Sequence, residues 1–190
     1  DGPLPGGLPK GVEVYVINDI ADLSNYGIGF AQNGDGTDGE EFTFPAESAA
    51  AGTHLFIASE KSGFSEWFGF NPDYGTAFAS INGDDAIELY YEDVVIDNFG
   101  DVDVDGSGEP WEYLDGWAYR IPDTGLDGDA FDLSHWTFSG PNALDGEGNN
   151  ASAEFPVPTS SYSTDPTVGL FVEFVAVGDV GDADTCLASI

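Results

Sequence analysis

Asp101, Asp103, Asp105, Ser107, Glu109 and Glu112 fall at positions 1, 3, 5, 7, 9 and 12 of the stretch DVDVDGSGEPWE, the spacing of oxygen ligands in a calcium loop. Aspartates at alternate positions converge hard oxygens on one cation, and Gly106 permits the sharp turn. Ser107 offers a carbonyl, Glu109 a direct or water-mediated contact, and Glu112 a bidentate carboxylate. Three aspartates so spaced repel one another in a compact turn unless a cation neutralises them. The pattern therefore predicts Ca2+ as the cofactor, with Asp115 just beyond the loop able to complete the shell. The competing reading is a solvated turn, because 36 of the 190 residues are acidic.

Other chemistry is harder to place. A second acidic turn, NGDGTDGEE (33–41), carries Asp35 and Asp38 and reads foremost as a hairpin loop. Among so many carboxylates no glycosidase-type pair stands out. His54 lies within an apolar run and His135 beside Trp136, both positions that suit packed residues. No G-x-S-x-G, H-E-x-x-H or Cys/His cluster occurs, so the chain reads as non-catalytic. The aromatics of SEWFGFNPDYG (65–75) and PWEYLDGWAY (110–119) would serve a carbohydrate platform, although core packing is the simpler use.

The elements that must position the loop are β-strands. ELYYEDVVIDNFG before it and DGWAYRIP after it lack the 3.6-residue period of EF-hand helices. Strands are predicted at 12–17, 26–32, 40–45, 53–59, 77–81, 86–92, 94–99, 116–121 and 135–139, with one short helix at 62–70 capped by Ser62 or Ser65. NGDGTDG, INGDD and PDTGLDGD supply turn residues that tolerate positive φ. Many short strands about ten residues apart predict an all-β sandwich. The echo of DLSNYGIG (22–29) in DLSHWTFSG (132–140) reads as a shared way of entering a strand, not a repeat.

Composition separates three regions: a body (1–155), a Pro/Ser/Thr linker (156–167) and a C-terminal segment (168–190). Within the last, VGLFVEFVAVGDV (168–180) is apolar on both faces: Leu170, Val172 and Phe174 on one side, Phe171 and Val175 on the other. Such a strand belongs inside a sheet. Pro156, Pro158 and Pro166 favour an extended linker that can carry it to a neighbour. Asn150-Ala151-Ser152 is an N-glycosylation sequon, and the linker resembles an O-glycosylated stalk. Cys186 is the single cysteine, so no intrachain disulfide is available.

The order of these pieces resembles the lamin tail domain superfamily, immunoglobulin-like β-sandwiches, in the version found in secreted bacterial proteins. The residues carrying the likeness are KGVEVYVINDIADLSNYGIGF (10–30), EFTFPAESAAAGTHLFIAS (41–59) and INGDDAIELYYEDVVIDNFGD (81–101), with GEPWEYLDGWAYR matching a long insertion. The resemblance covers roughly residues 10–145. It implies a further strand before DGPLPGG, where this chain begins at Asp1, and hence an expected open groove that the 168–180 strand would fill.

Charge narrows the partners. Lys10, Lys61 and Arg120 alone oppose the acids, for a net charge of −33. Nucleic acid and anionic membrane surfaces both require clustered Lys and Arg. No apolar run reaches the ~18–20 residues of a membrane span. The expectation is an extracellular or cell-surface, calcium-binding structural subunit that forms a head-to-tail homopolymer by strand donation, decorated by glycans. The alternative is a binding or spacer module of a larger secreted enzyme, nuclease-associated, or a carbohydrate-binding module.

Overall fold

A computed structural model describes residues 1–164 and the strand Cys186–Ser189. The described residues are mostly β-strands with little helix. One sheet has the order β10-β1-β4-β5, made of β1 (Gly11–Val16), β4 (His54–Ala58), β5 (Tyr74–Gly75) and β10 (Cys186–Ser189). The second has the order β3-β2-β6-β7, made of β2 (Tyr26–Ala31), β3 (Phe42–Thr43), β6 (Ala86–Tyr91) and β7 (Val94–Phe99). β8 (Ala118–Arg120) and β9 (Trp136–Phe138) form a separate antiparallel pair.

The two large sheets share one core. Val12, Val14, Val16, Leu55 and Ile57 of the first belong to the same buried cluster as Ile28, Phe30, Ile87, Leu89 and Phe99 of the second. This period-2 pattern gives each inner face its β-branched and aromatic residues. The β6–β7 hairpin turns through Glu92 and Asp93, both at positive φ (47° and 64°), which suits the twist of a two-residue hairpin.

The two D-L-S segments take up the same local structure. Asp22 and Asp132 each cap a one-turn 3-10 helix by accepting from the N–H of Ser24 and Ser134, and each helix leads directly into a strand, β2 or β9. Those serine N–H bonds and the serine hydroxyls hold both aspartate pKa values below the ordinary range.

Three sequence expectations are corrected. Residues 77–81 do not form a strand: Ala79 and Ile81 are buried in the core, but their backbone runs through turns. The helix α1 (Lys61–Phe68) is capped by Glu60, whose carboxylate accepts from the Gly63 N–H at 2.7 Å, and Ser62 donates to that same carboxylate instead of capping.

The third correction concerns the linker, whose residues Ser160–Tyr162 are seated on the body. Tyr162 is 1% exposed, stands edge-on to Tyr15 at 5.1 Å, and donates from its hydroxyl to the Thr124 carbonyl at 2.8 Å. The Ser160 N–H donates to the buried Glu13 carboxylate, which also accepts from Tyr119 Oη and lies 2.5 Å from His54 Nδ1. Proline and serine make this segment unable to join a ladder, yet one aromatic anchor and a few backbone N–H donors suffice to seat it.

Candidate functional site

The 101–112 loop leaves the end of β7 and returns to the core at Trp111. That indole is 5% exposed and lies edge-on to Phe99 at 5.9 Å; two residues on, the Tyr113 hydroxyl donates to the Asp85 carbonyl at 3.0 Å. Aromatic burial therefore pins the loop's second half. Gly106 is needed for this reason and not for a left-handed turn: a Cβ there would stand 2.6 Å from the Trp111 ring and 2.8 Å from the Asp84 carbonyl oxygen. Gly34, at φ +72°, is required by an equally close approach, its would-be Cβ lying 2.3 Å from the Asp105 nitrogen.

This path separates the six residues that the motif groups together. Asp101 accepts from the Asp103 N–H at 3.0 Å, Asp105 from the Ser107 N–H at 2.9 Å, and Glu112 from the Gly108 N–H at 3.1 Å. The Ser107 N–H lowers the Asp105 pKa. Ser107 Oγ turns away to Asp84 Oδ2 at 3.0 Å, and the Glu109 N–H is used in a turn with Gly106. Asp115 interacts with Asp145 and does not join the loop; burial and the Asp145 charge raise its pKa. Among the described residues no group of three Asp, Glu, His or Cys side chains is arranged to hold a metal ion. Trp111 anchors the chain to the core between Glu109 and Glu112.

The first half of the loop faces elsewhere. Asp101 and Asp103 line a cavity of about 340 Å³ together with Asn98 from β7 and Asp129 and Phe131 from the turn before β9. Asn98 is 6% exposed, and its Oδ1 has no hydrogen-bond partner. Sequence reading missed Asn98 and Asp129, which lie about thirty residues apart; the acidic turn PDTGLDGD was the available signal.

The second candidate feature is the β1 edge. β10 pairs with it antiparallel, in the register Glu13↔Ser189, Val14↔Ala188, Tyr15↔Leu187 and Val16↔Cys186. The backbone of β10 also runs near β7 and β8. The predicted donor residues Leu170, Phe171, Val172, Phe174 and Val175 lie outside the described residues.

Elsewhere, the chemistry-bearing groups serve packing. Arg120 is fully buried, bonded to Asp97 at 2.6 Å and Asp127 at 3.0 Å, and covers the Trp136 ring at 4.4 Å. His135 Nδ1 stands 2.7 Å from the same Asp127. Asp85, 1% exposed, accepts from the N–H groups of Asn33 and Asn82, and burial raises its pKa. Asn150 forms a two-point clasp, with Nδ2 donating to the Val157 carbonyl at 3.0 Å and Oδ1 accepting from the Val157 N–H at 2.7 Å. A glycan on Asn150 would replace one Nδ2 hydrogen and leave the other for the Val157 carbonyl. No helix of the described residues is long and apolar enough to cross a membrane.

The fold and site define an all-β protein whose two sheets share a core and whose β1 edge carries the C-terminal strand. No protein-family model, no curated protein and no solved structure matches the chain.

Proposed function

We propose that this chain is a non-catalytic, calcium-binding extracellular structural subunit of lamin-tail-like, immunoglobulin-like β-sandwich type. Subunits join head-to-tail when the C-terminal segment of one chain is added to the β1 edge of the next. The observation that carries the reading is the pairing of Cys186–Ser189 with β1. That pairing is within one chain and supports the reading because the same β1 edge on a neighbour is chemically identical.

Geometry supports a long reach. The body is anchored to residue 164 by Tyr162, and twenty-one residues, 165–185, separate that point from β10. Fully extended they span up to roughly 70 Å, several times the distance across a sheet. Strand addition supplies main-chain hydrogen bonds and removes an edge. Because donor and acceptor are different surfaces, the contact is heterologous and propagates into a fibre unless it closes into a ring.

Electron microscopy and sedimentation of the full chain in calcium test this directly. The wild type is expected to form filaments, and Leu187→Pro, which removes a main-chain donor from the strand paired with β1, is expected to leave a folded body that does not assemble. A wild type that stays monomeric at high concentration in calcium overturns strand donation in favour of a binding or spacer module.

A further inference from the structure

Phe56 of β4 packs with Phe64 of α1 in a cluster separate from the core that the two sheets share. Beside that cluster lies an apolar pocket. Phe64, Trp67 and Phe68 of α1 and Trp117, just before β8, line it together with Val157 and Thr159 of the linker. Its volume is about 50 Å³, well below the roughly 150 Å³ at which an apolar cavity admits benzene. With Val157 and Thr159 in place, a pocket walled by aromatic rings has no room for another ring.

Two further lining residues, Glu13 and Tyr119, hold the linker over it. The Ser160 N–H donates to Glu13 Oε1 at 3.0 Å, and the Ser161 and Tyr162 N–H groups donate to Tyr119 Oη at 3.1 and 3.2 Å. Tyr119 Oη in turn donates to Glu13 Oε1 at 3.0 Å, which uses the hydroxyl's one donor and both its acceptor sites. Burial and then the Glu13 charge push the Tyr119 pKa up to about 12, so the hydroxyl keeps the proton that this bond needs. Ser160 sits at φ 57°, a left-handed conformation that a non-glycine residue holds only where its surroundings impose it.

We propose that residues 157–162 form a displaceable strap, latched by Glu13 through Tyr119, and that lifting it opens a binding site for a small, uncharged aromatic ligand. Ring walls favour a ring, through edge and face contacts. The net charge of −33 disfavours an anion, and Glu13 keeps His54 Nδ1 at 2.5 Å as a partner when the strap leaves. Neither calcium nor strand donation is needed for this device.

Amide hydrogen exchange and titration with N-phenyl-1-naphthylamine, an uncharged fluorescent probe, test it on the full chain. In the wild type the 160–162 amides are expected to exchange at least about tenfold faster than those of β1 and β4, because the strap opens without the sheet. Equal rates overturn the strap. Tyr119→Phe keeps the ring and removes the latching hydroxyl. It is expected to speed exchange at 160–162 about tenfold further and to tighten probe binding by a similar factor. Glu13→Gln replaces one acceptor oxygen by an N–H donor; it is expected to act in the same direction and carries the comparison if Tyr119→Phe misfolds. Tyr113→Phe removes another buried hydroxyl, which donates to the Asp85 carbonyl at 3.0 Å, and is expected to leave both readouts unchanged. Unaltered exchange at 160–162 in the latch variants overturns the latch. Faster exchange without tighter probe binding overturns the binding site. Equal gains in Tyr113→Phe mean general loosening and overturn both.

Discussion

The register of β10 on β1 allows the strand's owner to be identified covalently. Val16 is opposite Cys186, and directly opposed residues in an antiparallel pair lie within disulfide range, at about 4.5–5.5 Å between Cα atoms. Val16→Cys adds a second thiol to a chain that has one. If β10 belongs to the same chain, oxidation closes a loop of about 170 residues. The chain-entropy relation then gives about 5 kcal/mol of stabilisation. The buried Val-to-Cys truncation costs about 1 kcal/mol, leaving a net gain near 4 kcal/mol. For a chain of this size that raises Tm by roughly 10 °C. If β10 comes from a neighbour, no loop closes within one chain; a non-reducing gel instead shows a ladder of dimers, trimers and higher multiples that collapses with reductant. The donation reading requires the ladder from calcium-assembled material. A fast-migrating monomer, with the higher Tm, would refute it. No cross-link of either kind would refute the register.

If the chain binds calcium as proposed, with a dissociation constant near 10⁻⁴ M, a hundredfold excess would stabilise the native state by about 2.7 kcal/mol. Chelation should therefore lower Tm by roughly 5–10 °C, Asp103→Ala should abolish that response, and differential scanning calorimetry reads both. Tyr162→Ala should cost about 3–5 kcal/mol by emptying a buried aromatic site, and Tyr162→Phe about 1 kcal/mol through the bond to Thr124. Limited proteolysis should cut 156–164 sooner in the Ala variant. Asp85 has a folded-state pKa above its ordinary value because it is buried, so the native state binds the extra proton. Its contribution is then fully present below the unfolded pKa of about 3.9 and is lost as pH rises through the folded value. Denaturant titrations should find Asp85→Asn more costly near pH 4 than at pH 7, and a cost that shrinks on acidification would contradict the assignment.

Much of the sheet was legible because alternation and turn chemistry agree locally. β1, β2, β4, β6, β7, β8 and β9 all fall within a residue or two of the predicted runs, and the D-L-S echo was indeed a strand entry. The run AFASI misleads because burial and strand pairing are separate properties: Ala79 and Ile81 fill the core from turns. β5 has only two residues and pairs in parallel with β4, too short to leave a period. The linker misleads through composition, which reports what a segment cannot do in a ladder and not where Tyr162 docks. The loop motif located an acidic turn but not its shape. Spacing cannot show that Trp111 of the loop is buried against Phe99.

Charge explains why assembly would depend on a strand joint and a cation together. Arg120 is enclosed by Asp97 and Asp127, and Lys10 stands 3.5 Å from Asp1, so two of the three basic side chains already have acidic neighbours. Two copies therefore meet without a complementary basic patch, and their like charge opposes contact until salt shortens its range to about 10 Å or less. A joint made of main-chain hydrogen bonds is indifferent to that charge, because N–H and C=O groups pair regardless of the surface beyond them. In the proposed assembly, strand donation would give the contact its specificity, and salt or calcium would reduce the repulsion between two acidic chains.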